Sequence, residues 1–188
     1  GAKCKVPPFG RIDIDGGHVY PGPNNVGMVE IIPDSNQAPY SANLVRYGMG
    51  APPTRYTDEY DFAVHLQARA GSYKPQVMPI STLGGADNWL EIGNVSTNKT
   101  TVTVEFYNYD GSLAGVRNFV LKAKSQKHIN AELIIGKLNS GVVKLTTTGS
   151  NGIIANNISY YRSDDLSLYA VTGTQPTEPN RARIAGSY

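Results

Sequence analysis

The chain has 188 residues, and 17 Lys and Arg against 15 Asp and Glu give a formal net charge of +2. The basic residues are scattered along the sequence, which argues against a phosphate-binding surface, so we expect no nucleic-acid partner. The single cysteine, Cys4, excludes an internal disulfide and a multi-thiolate metal site, and the absence of a long apolar run predicts no membrane span.

The first part of the chain has the pattern of short strands joined by turns. The whole chain contains 20 glycines, 12 prolines and 12 tyrosines, a composition that favours strands and turns over long helices. We predict strands over Phe9 to Ile14, Val26 to Ile32, Ala42 to Tyr47 and Tyr60 to Ala68.

The clearest strand of the whole chain covers Thr101 to Tyr107. Val102, Val104 and Phe106 alternate there with polar residues, so one face is expected in a core and the other in water or against a partner. A turn at Asp110-Gly111 follows, and residues 115 to 121 return as a second strand. The sequence therefore predicts a β-hairpin.

The remaining elements of the second part are predicted from the same signals. Strands are expected over Trp89 to Val95, Ser140 to Thr147, Gly152 to Tyr161 and Ser167 to Val171. The stretch Ile129 to Gly136 is compatible with two structures, a single helical turn capped by Gly136 or a buried strand.

Part of the chain is repeated. Gly27 to Ile31 followed by Ala42 to Tyr47 matches Gly141 to Leu145 followed by Asn156 to Tyr161 without a gap. A repeated supersecondary unit in a chain rich in Thr, Val and Tyr predicts an all-β protein with two related β-sandwich units in tandem.

We place the first unit at residues 1–73, the second at 74–175 and a polar tail at 176–188. The first unit has no counterpart of the hairpin predicted over Trp89 to Asn108. It is therefore either truncated or completed by strands that it shares with the second unit.

The run from Asn94 to Gly111 resembles the Ig-like modules of bacterial surface proteins, including the CARDB type. An Asn-containing turn precedes a Val-x-Val-x-Phe strand and an Asp-Gly hairpin in both. The resemblance implies Ig-like sandwiches displayed outside the cytoplasm, in an extracellular, cell-surface or periplasmic location. It implies no enzymatic activity, and no functional residue is carried over from the family.

One loop has the residue types of a metal site. Asp13 and Asp15 lie on one face of a predicted strand, and His18 follows a tight turn. The same residues are also typical of a strand that ends in an Asp-Gly-Gly turn, and this interpretation is favoured, so no cofactor is expected. The three histidines lie outside the common catalytic motifs, and the sequence predicts a protein that is not an enzyme.

Aromatic side chains are the best candidates for binding residues. Trp89, the only tryptophan, lies beside a polar loop, and Tyr47, Tyr56, Tyr107 and Tyr109 are the tyrosines that we select with it. Two functions remain open. The first is an adhesive or assembly module whose partner is a protein or glycan at a cell surface, or a neighbouring repeat; the second is a carbohydrate-binding module using exposed Tyr and Trp.

Overall fold

The computed structural model describes residues 3–14, 27–34, 41–48, 62–149, 152–162 and 168–176. Over these residues the elements are almost all strands. They are β1 (Asn43–Gly48), β2 (Phe62–Gln67), β3 (Gln76–Ser81), β4 (Asp87–Asn94), β5 (Thr100–Asn108), β6 (Leu113–Leu121), β7 (Gln126–Asn130), α1 (Glu132–Ile135), β8 (Ser140–Thr147), β9 (Ile153–Arg162) and β10 (Leu168–Thr174), with a short 3₁₀ turn at Leu83–Gly85. None of the helices among these residues has the length and apolar character needed to cross a membrane.

Strands β3 to β10 form a β-sandwich of two antiparallel sheets. Sheet A has the strand order β10-β9-β4-β7, and sheet B has the order β3-β8-β5-β6. Val102, Val104 and Phe106 of β5 are fully buried between the sheets, where they meet Leu90 and Ile92 of β4. The period-two pattern thus directs alternate side chains into one shared core. The predicted all-β sandwich architecture is confirmed.

The stretch that was compatible with a helix or a strand contains both. Strand β7 ends at Asn130, and one helical turn follows over Glu132–Ile135. Gly136 ends this turn at φ 81°, with its N–H donating to the carbonyl of Glu132 at 3.0 Å. Ala131 and Ile135 join the core, so the turn closes the sandwich at one end.

The hairpin formed by β1 and β2 packs on the outer face of sheet A. Val64 and Leu66 of β2 are only 6% and 3% exposed. They lie over Gly173 of β10 and Ile158 of β9. Ile158 is fully buried, although it does not belong to the core between the sheets. Sheet A is therefore covered on both faces at β10 and β9.

Two strand predictions in the first part of the chain are wrong over the residues that the structure describes. Neither residues 9–14 nor residues 27–32 form a ladder. Residues 27–34 instead lie along the sandwich. Glu30 forms a 2.8 Å salt bridge with Lys124, and the sulfur atom of Met28 packs against Gly93. Val29 and Ile32 remain 63% and 75% exposed. A strand needs a neighbour for its backbone groups, and none of the strands that the structure describes is aligned with these segments.

The internal repeat is reproduced only in part. The segment Ala42 to Tyr47 contributes strand β1, as its equivalent contributes strand β9, but Gly27 to Ile31 does not copy strand β8. All eight sandwich strands fall between Gln76 and Thr174, inside the range predicted for the second unit. Residues 15–26, 35–40 and 49–61 lie outside the described residues, and the division into two units stays a prediction.

The segment that leads into the sandwich is held by an isolated bridge before β3 begins. The N–H of Ser72 donates to the carbonyl of Ile153 at 2.9 Å, and the N–H of Ile153 donates to the carbonyl of Ser72 at 3.0 Å. Gly71 and Gly152 approach each other beside this bridge, since a β-carbon on Gly71 would lie 3.0 Å from the carbonyl carbon of Gly152. Larger residues would force the two segments apart.

Candidate interaction surface

The outer face of sheet B is the open face of the sandwich. Alternation on β5 directs Thr103, Glu105 and Tyr107 to this face, because Val104 and Phe106 point into the core. On the neighbouring strands Val142 is 44% exposed and Val120 is 59% exposed. In the part of the chain that the structure describes, no element covers this face, in contrast to sheet A.

Four residues cross one end of the open face as an apolar row. Strand pairing aligns Pro79 with Val142, Val142 with Tyr107, and Tyr107 with Leu113. Leu113 is 55% exposed, and Tyr109, just beyond the end of β5, is 81% exposed. Neighbouring residues on one face of a sheet lie within contact distance. The register therefore assembles an apolar strip from four separate strands.

A recess of about 620 Å³ opens beside the apolar row. Its lining includes Tyr107, Tyr109, Pro79 and Val142, together with the backbone of Gly141. A β-carbon on Gly141 would collide with the carbonyl oxygen of Tyr107. Glycine at this position allows β8 and β5 to approach closely at the bottom of the recess.

The loop that carries Tyr109 is fixed by short hydrogen bonds. Gly111 adopts φ 84°, and the Asp110 carboxylate accepts bonds from the Ser112 hydroxyl at 2.6 Å and the Ser112 N–H at 2.9 Å. These bonds lower the pKa of Asp110 below its ordinary value, with the hydroxyl bond as the largest cause. Asn139 donates a further bond to the side chain of Asn108 at 3.1 Å. The loop is therefore well supported at the edge of the recess.

An ion pair lies next to the apolar row. The Lys144 ammonium is 2.7 Å from the Glu105 carboxylate, which also accepts a 3.2 Å hydrogen bond from the Tyr107 hydroxyl. The hydrogen bond from Lys144 lowers the pKa of Glu105, and the same bond raises the pKa of Lys144. The pair adds a polar, orienting element to an otherwise apolar strip.

The structure brings together two of the five aromatic residues selected from the sequence. Tyr107 and Tyr109 line the same recess. Trp89 lies on the other sheet, on its outer face, because it is aligned with Ile158 beneath the hairpin. Tyr47 is aligned with Ala63 in the β1–β2 hairpin. The side chain of Tyr47 and the whole of Tyr56 lie outside the described residues.

The candidate metal loop is only partly described. Asp13 pairs with Arg11, with 2.6 Å between its carboxylate and the guanidinium. Asp15 and His18 lie outside the described residues. Among the residues that are described, no group of three or more His, Cys, Asp and Glu side chains could hold a metal ion.

Sequence reasoning missed three members of the apolar row, Pro79, Val142 and Leu113. Each stands alone among polar neighbours or beside a core residue, so none forms a local motif. The only signal is the alternation of Val142 with core residue Val143, which marks Val142 as outward-facing. Their convergence with Tyr107 depends on strand register, which the sequence does not state.

Comparison with known proteins adds little. No protein-family model matches the chain, and no curated protein matches it. Among solved structures, the crystal structure of Thermotoga maritima 1070 is similar with a TM-score of 0.48 and 11% sequence identity, over 57% of this chain and 95% of that chain.

Proposed function

We propose that this chain is a non-enzymatic, extracytoplasmic β-sandwich module that supports adhesion or assembly of a larger bacterial surface protein. The observation that carries the proposal is the contrast between the two sheets. The outer face of sheet A is covered at β10 and β9 by the chain's own hairpin, whereas the apolar row on sheet B is exposed beside the well-supported Tyr109 loop. A broad, rigid face with apolar and tyrosine side chains suits a protein or glycan partner at a cell surface.

Adhesion of cells that display the protein tests this proposal. Leu113→Ser removes an exposed apolar side chain from the row, and we expect adhesion or incorporation into the surface assembly to fall about tenfold. Leu133→Ser on α1 is the matched control, since Leu133 is 81% exposed but does not belong to the row. If both variants adhere equally well, the result would contradict the role of the apolar row. Fractionation that finds the native protein in the cytosol would contradict the surface role.

A carbohydrate-binding module is the second candidate. It is favoured by the presence of Tyr107 and Tyr109 in one recess, because sugar rings stack on exposed aromatic faces. Trp89 takes no part in it, since this residue lies on the opposite side of the sandwich. Soluble glycans should then shift the NMR signals of Tyr109 and Gly141. In the Tyr109→Ser variant the shift of the Gly141 signal should be abolished. Glycan-independent adhesion that needs Leu113 would favour the first candidate.

A further inference from the structure

Strand β6 is a long strand at the edge of sheet B, so one of its two sides faces away from the sheet. It has nine residues and pairs only with β5 among the residues that the structure describes. The opposite edge, β3, has six residues and contains Pro79, which has no N–H to donate to a ladder. An exposed edge strand without proline is a template for strand addition. Val116 and Val120, at 37% and 59% exposure, add apolar surface beside this edge.

The same chain contains an exposed segment with a strand pattern. Residues 10–14 read Gly-Arg-Ile-Asp-Ile and form no ladder. Ile12 and Ile14 are 45% and 59% exposed, and they alternate with Arg11 and Asp13. A turn closed by the N–H of Gly10 and the carbonyl of Pro7 at 2.9 Å separates this segment from the residues before it.

The segment and the edge are complementary. If Ile12 and Ile14 face the side of Val116 and Val120, the alternation of β-strands directs Asp13 to the side of Arg117. With Asp13 opposite Arg117, one isoleucine lies opposite Val116 and the other lies opposite Asn118, diagonally next to Val120. The carboxylate of Asp13 can then exchange its pairing with Arg11 for the guanidinium of Arg117. The backbone of the segment would supply the partner groups that the free side of β6 lacks.

We propose that residues 10–14 of one copy of the chain add as a fifth strand to the free edge of β6 in a second copy. This inference rests on the proposed assembly role and names its partner as a second copy of the same chain. Donor and acceptor are different surfaces of one molecule. The contact is therefore heterologous and extends head to tail when each copy uses both surfaces.

Complementation between two variants tests the proposal. The first variant has a disrupted donor segment through Ile12→Lys and Ile14→Lys. The second variant has a disrupted acceptor edge through Val116→Lys and Val120→Lys. Light scattering coupled to size-exclusion chromatography should show concentration-dependent oligomers for the unmodified chain and monomers for each variant alone. An equimolar mixture should form 1:1 dimers and nothing larger, because it contains one intact donor and one intact acceptor. A control with Val29→Lys and Ile32→Lys should self-associate like the unmodified chain.

A measurement on nearly unmodified protein keeps the test independent of charge substitutions. Cys4 is exposed and is the only cysteine, so a nitroxide attached there lies close to the donor segment. When this chain is mixed with a ¹⁵N-labelled Cys4→Ser chain, the amide signals of β6 should broaden more than those of β3 and β7. Broadening of β3 instead, a monomer at every concentration, or a mixture of variants that stays monomeric would overturn the proposal.

The outcome separates the two proposals. Adhesion that persists in a chain shown to be monomeric would overturn strand addition and leave the surface role intact. Head-to-tail oligomers of a protein located in the cytosol would overturn the surface role and support strand addition.

Discussion

Gly173 of β10 lies directly against Leu66 of β2, so that a β-carbon on Gly173 would be 3.0 Å from Leu66 Cδ2. The same β-carbon would be 2.9 Å from Val64 Cγ2. The hairpin thus approaches sheet A at a position where the sheet has no side chain. This contact joins the first part of the chain to the sandwich.

We expect Gly173→Val to displace the hairpin from sheet A. Overpacking of this kind costs about 1–3 kcal/mol. Hydrogen exchange should show faster exchange of the β2 amides, and the melting temperature should fall. Thr172→Ala, at an exposed residue next to Gly173 in the same strand, should change stability by less than about 0.5 kcal/mol. Unchanged protection of β2 in Gly173→Val would show that the hairpin does not depend on this contact.

Asn94→Ala should destabilise one end of the sandwich. The side-chain amide of Asn94 is fully buried and donates to the carbonyls of Asn98 at 2.7 Å and Lys122 at 2.9 Å. Its oxygen accepts bonds from the N–H and hydroxyl of Ser96. Each buried group left without a partner costs about 1–3 kcal/mol, so chemical denaturation should show a loss of several kcal/mol. Asn98→Ala, which keeps the backbone carbonyl, should cost much less.

Val104→Asp should prevent or severely weaken folding, whereas Thr103→Asp should be tolerated. Val104 is fully buried, and an unpaired charge there costs several kcal/mol, roughly the stability of a small domain. Thr103 is only half-buried on the open face, where its hydroxyl donates to Asn118. Thermal melts compare the variants. Ile158→Asp should resemble Val104→Asp, because the hairpin buries Ile158 fully, and equal melting temperatures for all three would contradict the assigned faces.

The ion pair between Glu105 and Lys144 predicts a dependence of stability on pH. The pKa of Glu105 is lowered in the folded chain, so its contribution is present above the unfolded pKa and is lost as pH falls through the folded pKa. The pKa of Lys144 is raised, so its contribution is lost as pH rises through the folded pKa in the alkaline range. Urea denaturation of the unmodified chain and Glu105→Gln should differ most near neutral pH. A difference that grows on acidification would contradict this prediction.

The parts of the fold that could be predicted from sequence are those with a local cause. Val102, Val104 and Phe106 specify a half-buried strand by alternation alone, and Gly111 and Gly136 mark a turn and a helix end through their backbone freedom. Residues 27–32 have a similar apolar pattern but form no strand, because strand formation requires a neighbour that the sequence does not identify.

The candidate surface shows the same division. Tyr107 and Tyr109 could be selected together because they are close in the chain, just before the turn at Asp110-Gly111. The partners of Tyr107 in the apolar row, Val142 and Leu113, follow from the register of β5 with β8 and β6. Trp89 is selected with the tyrosines because it lies beside a polar loop, but alternation alone does not indicate to which of the two sheets a strand belongs.

The bridge between Ser72 and Ile153 has a mechanical consequence when the chain is pulled from the side of its first residues. Tension that arrives along the chain before residue 72 meets the two hydrogen bonds of this bridge ahead of the ladder between β3 and β8. Both bonds attach the incoming segment to β9, a central strand of the other sheet. A pulling force would therefore be shared between the two sheets at its point of arrival, and peeling of β3 would first require rupture of this pair of bonds.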